Sequence, residues 1–342
     1  MNRPRVLVVD DSAFARTVLA RLLRASGQID VVGTARDGND ALEQIAARDP
    51  DIVTLDLTMP ELDGLEVLRR LRGRARPRVI VVSISTVENE IGAEALALGA
   101  VDLITKPTAL ADDRLHELGD ELVAKVLAIA GPAPLARVPP PFSAPQVQPR
   151  AQPAGKAELV VVGTSTGGPQ ALTRLLAALP ATLAAPVAMV LHIPVGYTGP
   201  LAQRLNKSSA LEVLEAEDGL ALRPGRAILA QAGMHLRVAR VHGQLVAQLT
   251  TSPGRQFMPS VDELFESAAA VVGQTTLGVI LTGMGDDGLL GSQAIASVGG
   301  ALLTESESSC VVYGMPRCVH EAGIGAVAAP LDRMAGEIAK RV

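Results

Sequence analysis

A serine sits between glycines where an apolar run gives way to a helical pattern. Residues 159–162 (LVVV) read as a strand, and Gly163-Thr164-Ser165-Thr166-Gly167 matches G-x-S-x-G. A helix is expected to begin near Pro169, a residue suited to a first turn. Glycines there allow a sharp turn that lifts a hydroxyl above the end of a sheet. Three readings fit the turn by itself: an esterase nucleophile, a phosphate-binding loop and a Ser/Thr helix cap. A dinucleotide loop wants an acidic residue at the end of the next strand. The next apolar run, 187–194 (VAMVLHIP), ends in His192 instead. A histidine ending a strand as Ser165 does can be its neighbour and its base. A carboxyl is then needed to orient the imidazole. Residues 278–288 (GVILTGMGDDG) offer a strand, a Gly-rich loop and two candidates, Asp286 and Asp287, between which spacing does not choose. His235 opens another short apolar run and is a further histidine to expect near the pocket. The order Ser…His…Asp differs from the Ser…Asp…His of α/β-hydrolases, which implies convergent chemistry on a separate fold.

A second set of groups lies in the first half. Asp10 and Asp11 follow the run VLVV, and Asp56 follows IVTL. Carboxyl ends of parallel strands converge on one edge of a sheet. Three acids gathered there repel one another unless a cation is present, and Mg²⁺ takes a few carboxylates, a carbonyl and water. Such a site makes one carboxylate a feasible phosphoryl acceptor. Two further strands end at Ser83 and Lys106, whose hydroxyl and ammonium suit phosphoryl oxygens. Any one of these acids taken alone, Asp11 or Asp37 for example, reads as a helix cap.

Both sets need elements to place them. In the first half, strands are expected at 5–9, 31–35, 52–55, 79–82 and 101–104. Helices are expected at 13–24, 38–47, 65–71, 91–98 and 115–129. Strict alternation argues for a parallel sheet with helices on both faces. Residues 131–157 are dense in Pro and Ala with no apolar period, so they read as an extended tether. The alternation then resumes. Strands are expected at 159–162, 187–191, 227–230, 235–239, 245–249, 277–282 and 301–304. Helices are expected at 169–179, 201–206, 261–272 and 290–298, and His242-Gly243 marks a hairpin. The expected domains are therefore 1–130, a linker over 131–157, and 158–342.

Composition narrows the function classes. The 342 residues are 48% hydrophobic and 20% charged, enough for one or two real cores. Aromatics are 2% with no Trp, which disfavours base-stacking platforms for single strands. The net charge of −5, from 31 Lys+Arg against 36 Asp+Glu, and the lack of a helix-turn-helix pattern point away from nucleic acid. No apolar run is long enough to span a bilayer, and the start lacks a signal-peptide h-region. Two cysteines, Cys310 and Cys318, give neither a disulfide framework nor a zinc site and fit a reducing compartment. A cytoplasmic protein is expected, with no membrane insertion.

The motifs as a group resemble known families. The paired Asp10-Asp11, LDLTMP with Asp56, MPELDGLE, VVS and TKP together resemble a response-regulator receiver domain over about residues 4–125. The resemblance implies a flavodoxin-like five-stranded sheet with Asp56 as phosphoacceptor. It implies Mg²⁺ held by Asp10, Asp11, Asp56 and the Thr58 carbonyl, and a phosphoryl group bound by Ser83 and Lys106. Where receivers carry an aromatic switch residue, this chain has Leu103.

The second half resembles the catalytic domain of the chemotaxis protein-glutamate methylesterases, the CheB family. The motifs are GTSTGGPQAL, LHIP…TGPLAQRL, MPSVDELF, LTGMGDDG and CVVYGMPR. A doubly wound α/β domain is implied, with Ser165 as nucleophile, His192 as base and Asp287 as orienting acid. Asp287, directly before Gly288, takes the place of the motif's acid. Met284 and the amides around Thr166 would support the oxyanion. Leu191, Tyr197 and Met258 depart from the usual Gln, Phe and polar or basic residue, and bear on substrate fit.

The implied reaction is hydrolysis of glutamate γ-methyl esters, and deamidation of specific glutamines, on methyl-accepting chemotaxis receptors. No cofactor is implied for that step. A chemotaxis histidine kinase would supply phosphate to Asp56, and the receiver would cover the esterase cleft until phosphorylated. The alternative weighed is a non-enzymatic, phosphorylation-controlled module that docks on receptor helices.

Overall fold

A computed structural model of the chain describes residues 3–74, 76–84, 89–106, 112–131 and 156–342. The chain divides into two compact units, Met1–Pro134 and Leu135–Val342. Most of the expected linker, 132–155, lies outside the described residues. Among the described residues no helix is long and apolar enough to cross a membrane.

The first unit alternates throughout. Its strands are β1 Arg5–Val9, β2 Asp30–Ala35, β3 Ile52–Leu55, β4 Arg78–Ile84 and β5 Asp102–Lys106. Its helices are α1 Ala13–Ala25, α2 Gly38–Arg48, α3 Gly64–Leu71, α4 Asn89–Leu98 and α5 Asp112–Ala130. The sheet order is β2-β1-β3-β4-β5, with every pairing parallel. Helices on both faces explain why β1 and β3 are apolar at nearly every position rather than alternating. Ser12, Asp37 and Asp63 cap α1, α2 and α3 by accepting the backbone N–H of the third residue of each helix.

The second unit runs β6 Leu159–Thr164, α6 Gly168–Ala178, β7 Val187–Leu191, α7 Thr198–Ser208, β8 Glu212–Glu215 and β9 Arg226–Leu229. It continues β10 His235–Val241, β11 Gln244–Thr250, α8 Val261–Val272, β12 Thr276–Ile280, α9 Leu289–Ser297 and β13 Ala301–Glu305. It closes with α10 Met315–Glu321, β14 Val327–Ala329 and α11 Leu331–Ala339. Seven parallel strands form the sheet β14-β13-β12-β6-β7-β9-β8, and β10 and β11 form a separate antiparallel ribbon. The central strands are fully buried: Val160, Val161 and Val162 expose nothing. The ribbon turns at His242 and Gly243, both with positive φ (48° and 83°). That is the backbone a two-residue hairpin requires.

Two strands and two helices depart from the sequence expectation. β8 and β14 are the sheet's edges, four and three residues long and partly exposed, so they carry no continuous apolar run. α10 and α11 follow β13, where no element is expected. The apolar positions of α11 show the helical period once that segment is read alone: Leu331, Met334, Ala335 and Ile338 are buried.

Candidate active site

Strand register brings the serine and the histidine to one edge. Thr164, the last residue of β6, pairs with Leu191, the last of β7. The next residues are Ser165 and His192. Neighbouring strands lie about 4.8 Å apart, and the His192 amide donates to the Thr164 carbonyl at 3.2 Å. On the other flank β12 pairs with β6, and the Ser165 amide donates to the Thr282 carbonyl at 3.1 Å.

Thr282 ties that flank together. Its carbonyl also accepts from the Thr164 hydroxyl (2.7 Å), and its own hydroxyl donates to the Thr166 carbonyl (2.9 Å). Its amide donates to Glu305 Oε2 at 2.9 Å. Glu305 is fully buried, and burial pushes its carboxyl above the usual range. A Cβ on Gly283 would lie 2.9 Å from the Ser165 Cβ and strike the Met315 sulfur, so this loop closes on the serine only with glycine there. Thr166, buried, and Met284, half-buried, stand on the two loops that flank Ser165.

The imidazole is held by one nitrogen. His192 Nε2 lies 2.8 Å from Asp287 Oδ2, while Nδ1 is buried with no hydrogen-bond partner among the described residues. A carboxylate on Nε2 makes that nitrogen the N–H donor and leaves Nδ1 with the lone pair. In the chymotrypsin arrangement the acid takes Nδ1; here Asp287 takes Nε2. The Phe257 ring stacks on the imidazole, with centroids 4.2 Å apart and planes at 15°.

Asp287 is fixed by a helix start. Its Oδ2 also accepts from the Val261 amide (2.7 Å), and Oδ1 accepts from the Ser260 hydroxyl (2.9 Å) and the Asp262 amide (3.0 Å). These donors are the N-terminus of α8, where unpaired amides favour an anion. Burial alone would raise the Asp287 carboxyl. The His192 bond and charge and the two amides outweigh it and hold the group below its ordinary value.

Asp262 returns the same service. Its Oδ1 accepts from the Gly288 and Gly291 amides at 2.9 and 2.7 Å, the first turn of α9. Burial, with the charge of Asp287 beside it, pushes Asp262 up to about 6. Asp286, the other candidate left open by spacing, is exposed.

The first unit brings its acids together as well. Asp10, Asp11 and Asp56 each offer an oxygen within 4.8 Å of the others. Lys106 Nζ is 2.7 Å from Asp10 Oδ2 and 3.1 Å from Asp56 Oδ1. The Leu57 amide donates to Asp56 Oδ1 and the Ser12 amide to Asp10 Oδ1, each at 3.0 Å. Three carboxylates against one ammonium leave an excess of negative charge in a set of hard oxygen donors, which fits a small divalent cation. Ser83 is buried near the end of the neighbouring β4, and Thr58 is exposed in the loop after β3.

Sequence reasoning missed Phe257, Asp262 and Glu305. Ser260-Val261-Asp262-Glu263 has the S-x-x-E form of a capping box before an apolar run and signals the start of α8. The Ser260 hydroxyl nevertheless serves Asp287 rather than its own helix. Phe257 is one of only four phenylalanines, and its place in a loop rather than a core segment was the available signal.

Comparison with known proteins agrees with both units. A family model for the response regulator receiver domain matches residues 6–118, and one for CheB methylesterase matches residues 160–338. The chain is 57% identical over 344 residues to protein-glutamate methylesterase/protein-glutamine glutaminase 5 of Myxococcus xanthus, covering 99% of this chain and 98% of that one. It is 42% identical to the Geobacillus kaustophilus protein of the same designation, covering 100% and 99%. Among solved structures, the CheB methylesterase catalytic domain of Thermotoga maritima aligns with a TM-score of 0.53 at 37% identity, over 55% of this chain and all of that one. With its part-buried His192–Asp287 pair at the strand ends that carry Ser165 and its acidic pocket at a separate sheet edge, the chain belongs to the CheB methylesterase family and carries a response-regulator receiver domain ahead of the methylesterase domain.

Proposed function

We propose that this protein hydrolyses glutamate γ-methyl esters, and deamidates specific glutamines, on methyl-accepting chemotaxis receptors. Ser165 Oγ attacks the γ-carbonyl while His192 Nδ1 takes its proton. Asp287 keeps Nε2–H in place and stabilises the imidazolium. The oxyanion rests on backbone N–H groups at Thr166 and Met284. The proton on Nδ1 passes to the departing methoxide, or to the departing side-chain amide nitrogen of a glutamine, and methanol or ammonia leaves. Water, deprotonated by the same nitrogen, then attacks the acyl carbon; the bond to Ser165 Oγ breaks, Oγ takes the proton back and glutamate is released. The observation that supports this most is the His192 ring itself: one nitrogen tied to Asp287, the other without a hydrogen-bond partner among the described residues, next to the strand whose end leads into Ser165. Membership of an enzyme family removes the reason to read the second unit as a non-enzymatic docking module.

The receiver, residues 1–130, sets when this happens, with 131–157 as tether to 158–342. Asp56 accepts a phosphoryl group from a chemotaxis histidine kinase. Asp10, Asp11, Asp56 and the Thr58 carbonyl would hold Mg²⁺, which supplies charge neutralisation for that transfer. Ser83 and Lys106 hold the phosphoryl oxygens. The reaction belongs in the cytoplasm, where receptor signalling helices and the kinase meet. Mass spectrometry of methylated receptor peptides tests the reading. Loss of methyl from glutamate with release of methanol is expected, and unchanged peptides would overturn it.

A further inference from the structure

The loop between β11 and α8 is tied down at both ends by one side chain. His235, the first residue of β10, exposes no surface. The Ser260 amide donates to its Nδ1 at 3.2 Å, so Nδ1 carries no hydrogen. The hydrogen is therefore on Nε2, which donates to the Ser252 carbonyl at 3.2 Å. A single ring thus bridges Ser252 and Ser260. A third tie runs from the Gly233 amide to the Met258 carbonyl, at 3.1 Å.

What the loop presents is informative. Phe257 lies between the ties, and its ring covers one face of His192 almost in parallel, at 4.2 Å. Ser260, at the tied end, bonds Asp287. The same short segment therefore touches both the base and its acid. Among the described residues the His192 ring has a hydrogen bond at Nε2 alone, and a single point of attachment does not by itself fix the plane of a ring. A planar ring stacked on its face opposes that tilt.

We propose that residues 252–260 form a strap, closed by His235, whose Phe257 ring holds the imidazole plane in which Nδ1 takes the Ser165 proton. Phe257 and His235 are positioning residues: they act through His192 and touch no reacting atom. The inference rests on the reading of Ser165, His192 and Asp287 given above. Misplacement of a base by a fraction of an ångström slows proton transfer while binding is unchanged.

The full chain with Phe257→Leu, Phe257→Tyr, His235→Gln and the Leu/Gln double substitution provides the test. Phe257 is partly exposed, so its variants leave the core intact and carry the test even where His235→Gln does not fold. Three readouts are needed: kcat and KM for methanol release from a methylated receptor peptide, the rate of Ser165 labelling by a small fluorophosphonate, and the NMR shifts of the His192 ring protons. Phe257→Leu should lower kcat and the labelling rate about tenfold with KM within about twofold. It should also remove the ring-current shift from His192. Phe257→Tyr should restore all three. His235→Gln should act in the same direction, and the double variant should be no slower than the slower single one. Unchanged His192 shifts in Phe257→Leu would overturn the strap, as would a raised KM at constant kcat or effects that multiply. Failure of the underlying reading looks different: the wild-type Ser165 resists the fluorophosphonate and Ser165→Ala still releases methanol.

Discussion

The two units set carboxylates at the same kind of place, the carboxyl edge of a parallel sheet, and neutralise them in opposite ways. In the first, Asp10, Asp11 and Asp56 crowd within 4.8 Å and meet one ammonium, Lys106. In the second, Asp287 and Asp262 meet backbone amides at the starts of α8 and α9, each aspartate capping the helix beside the other. Fixed amides make a site that is permanently assembled, as turnover demands. Negative charge left for a cation to balance makes a site whose state depends on what is bound, as a switch demands. One fold class serves both because the edge of the sheet supplies only places; the local donors decide the chemistry.

Between the two sets of carboxylates, the larger effect falls on the fixed site. Asp287→Asn should lower methanol release by about 10³–10⁴-fold, because an amide lets the ring take the wrong tautomer. Asp287→Ala should also lose about 1–2 kcal/mol of stability in denaturant melts, since α8 loses its cap. Unchanged melts would show that the amides are not held by this group. Asp287 lies below its ordinary value in the fold, so its contribution to stability is present above the usual carboxylate range and is lost as pH falls through it.

A smaller effect belongs to the conditional site. A small phosphodonor with Mg²⁺ should raise methanol release by about 5–150-fold in the full chain. Asp56→Asn or EDTA should abolish that rise and leave the basal rate alone. A basal rate that falls with EDTA would break the contrast, because the esterase half would then depend on the cation too.

The smallest effect concerns the second aspartate of the fixed site. Asp262 is raised to about 6, so the folded protein holds its proton at pH values where the unfolded chain, at about 3.9, has released it. Its contribution is therefore fully present below about pH 4 and is lost as pH rises through about 6. Asp262→Asn keeps an oxygen for the Gly288 and Gly291 amides and cannot ionise. Thermal melts from pH 4 to 7 should show a flatter profile than wild type, by on the order of 1 kcal/mol. Equal slopes would mean that Asp262 stays ionised across the range.

Much of this was legible in the sequence, for identifiable reasons. The run LVVV into Gly163-Thr164-Ser165-Thr166-Gly167 specifies strand, turn and helix locally, so β6 and α6 fall where expected. His192 was visible because it ends the next strand. The choice between Asp286 and Asp287 was beyond spacing; the fold separates them by burying one against His192 and exposing the other. β8 and β14 were illegible because edge strands bury too little to leave an apolar signature. Phe257 and Asp262 were illegible for another reason: each acts on a partner brought near only by the tertiary fold, and neither matches a local motif.

Methanol release by wild type and by Ser165→Ala, measured on one methylated receptor peptide, bears most directly on the whole account. In the proposed reaction the hydroxyl forms the new bond, so its removal should reduce turnover by about 10⁶-fold, to background. A Ser165→Ala protein that demethylates at the wild-type rate would contradict the account.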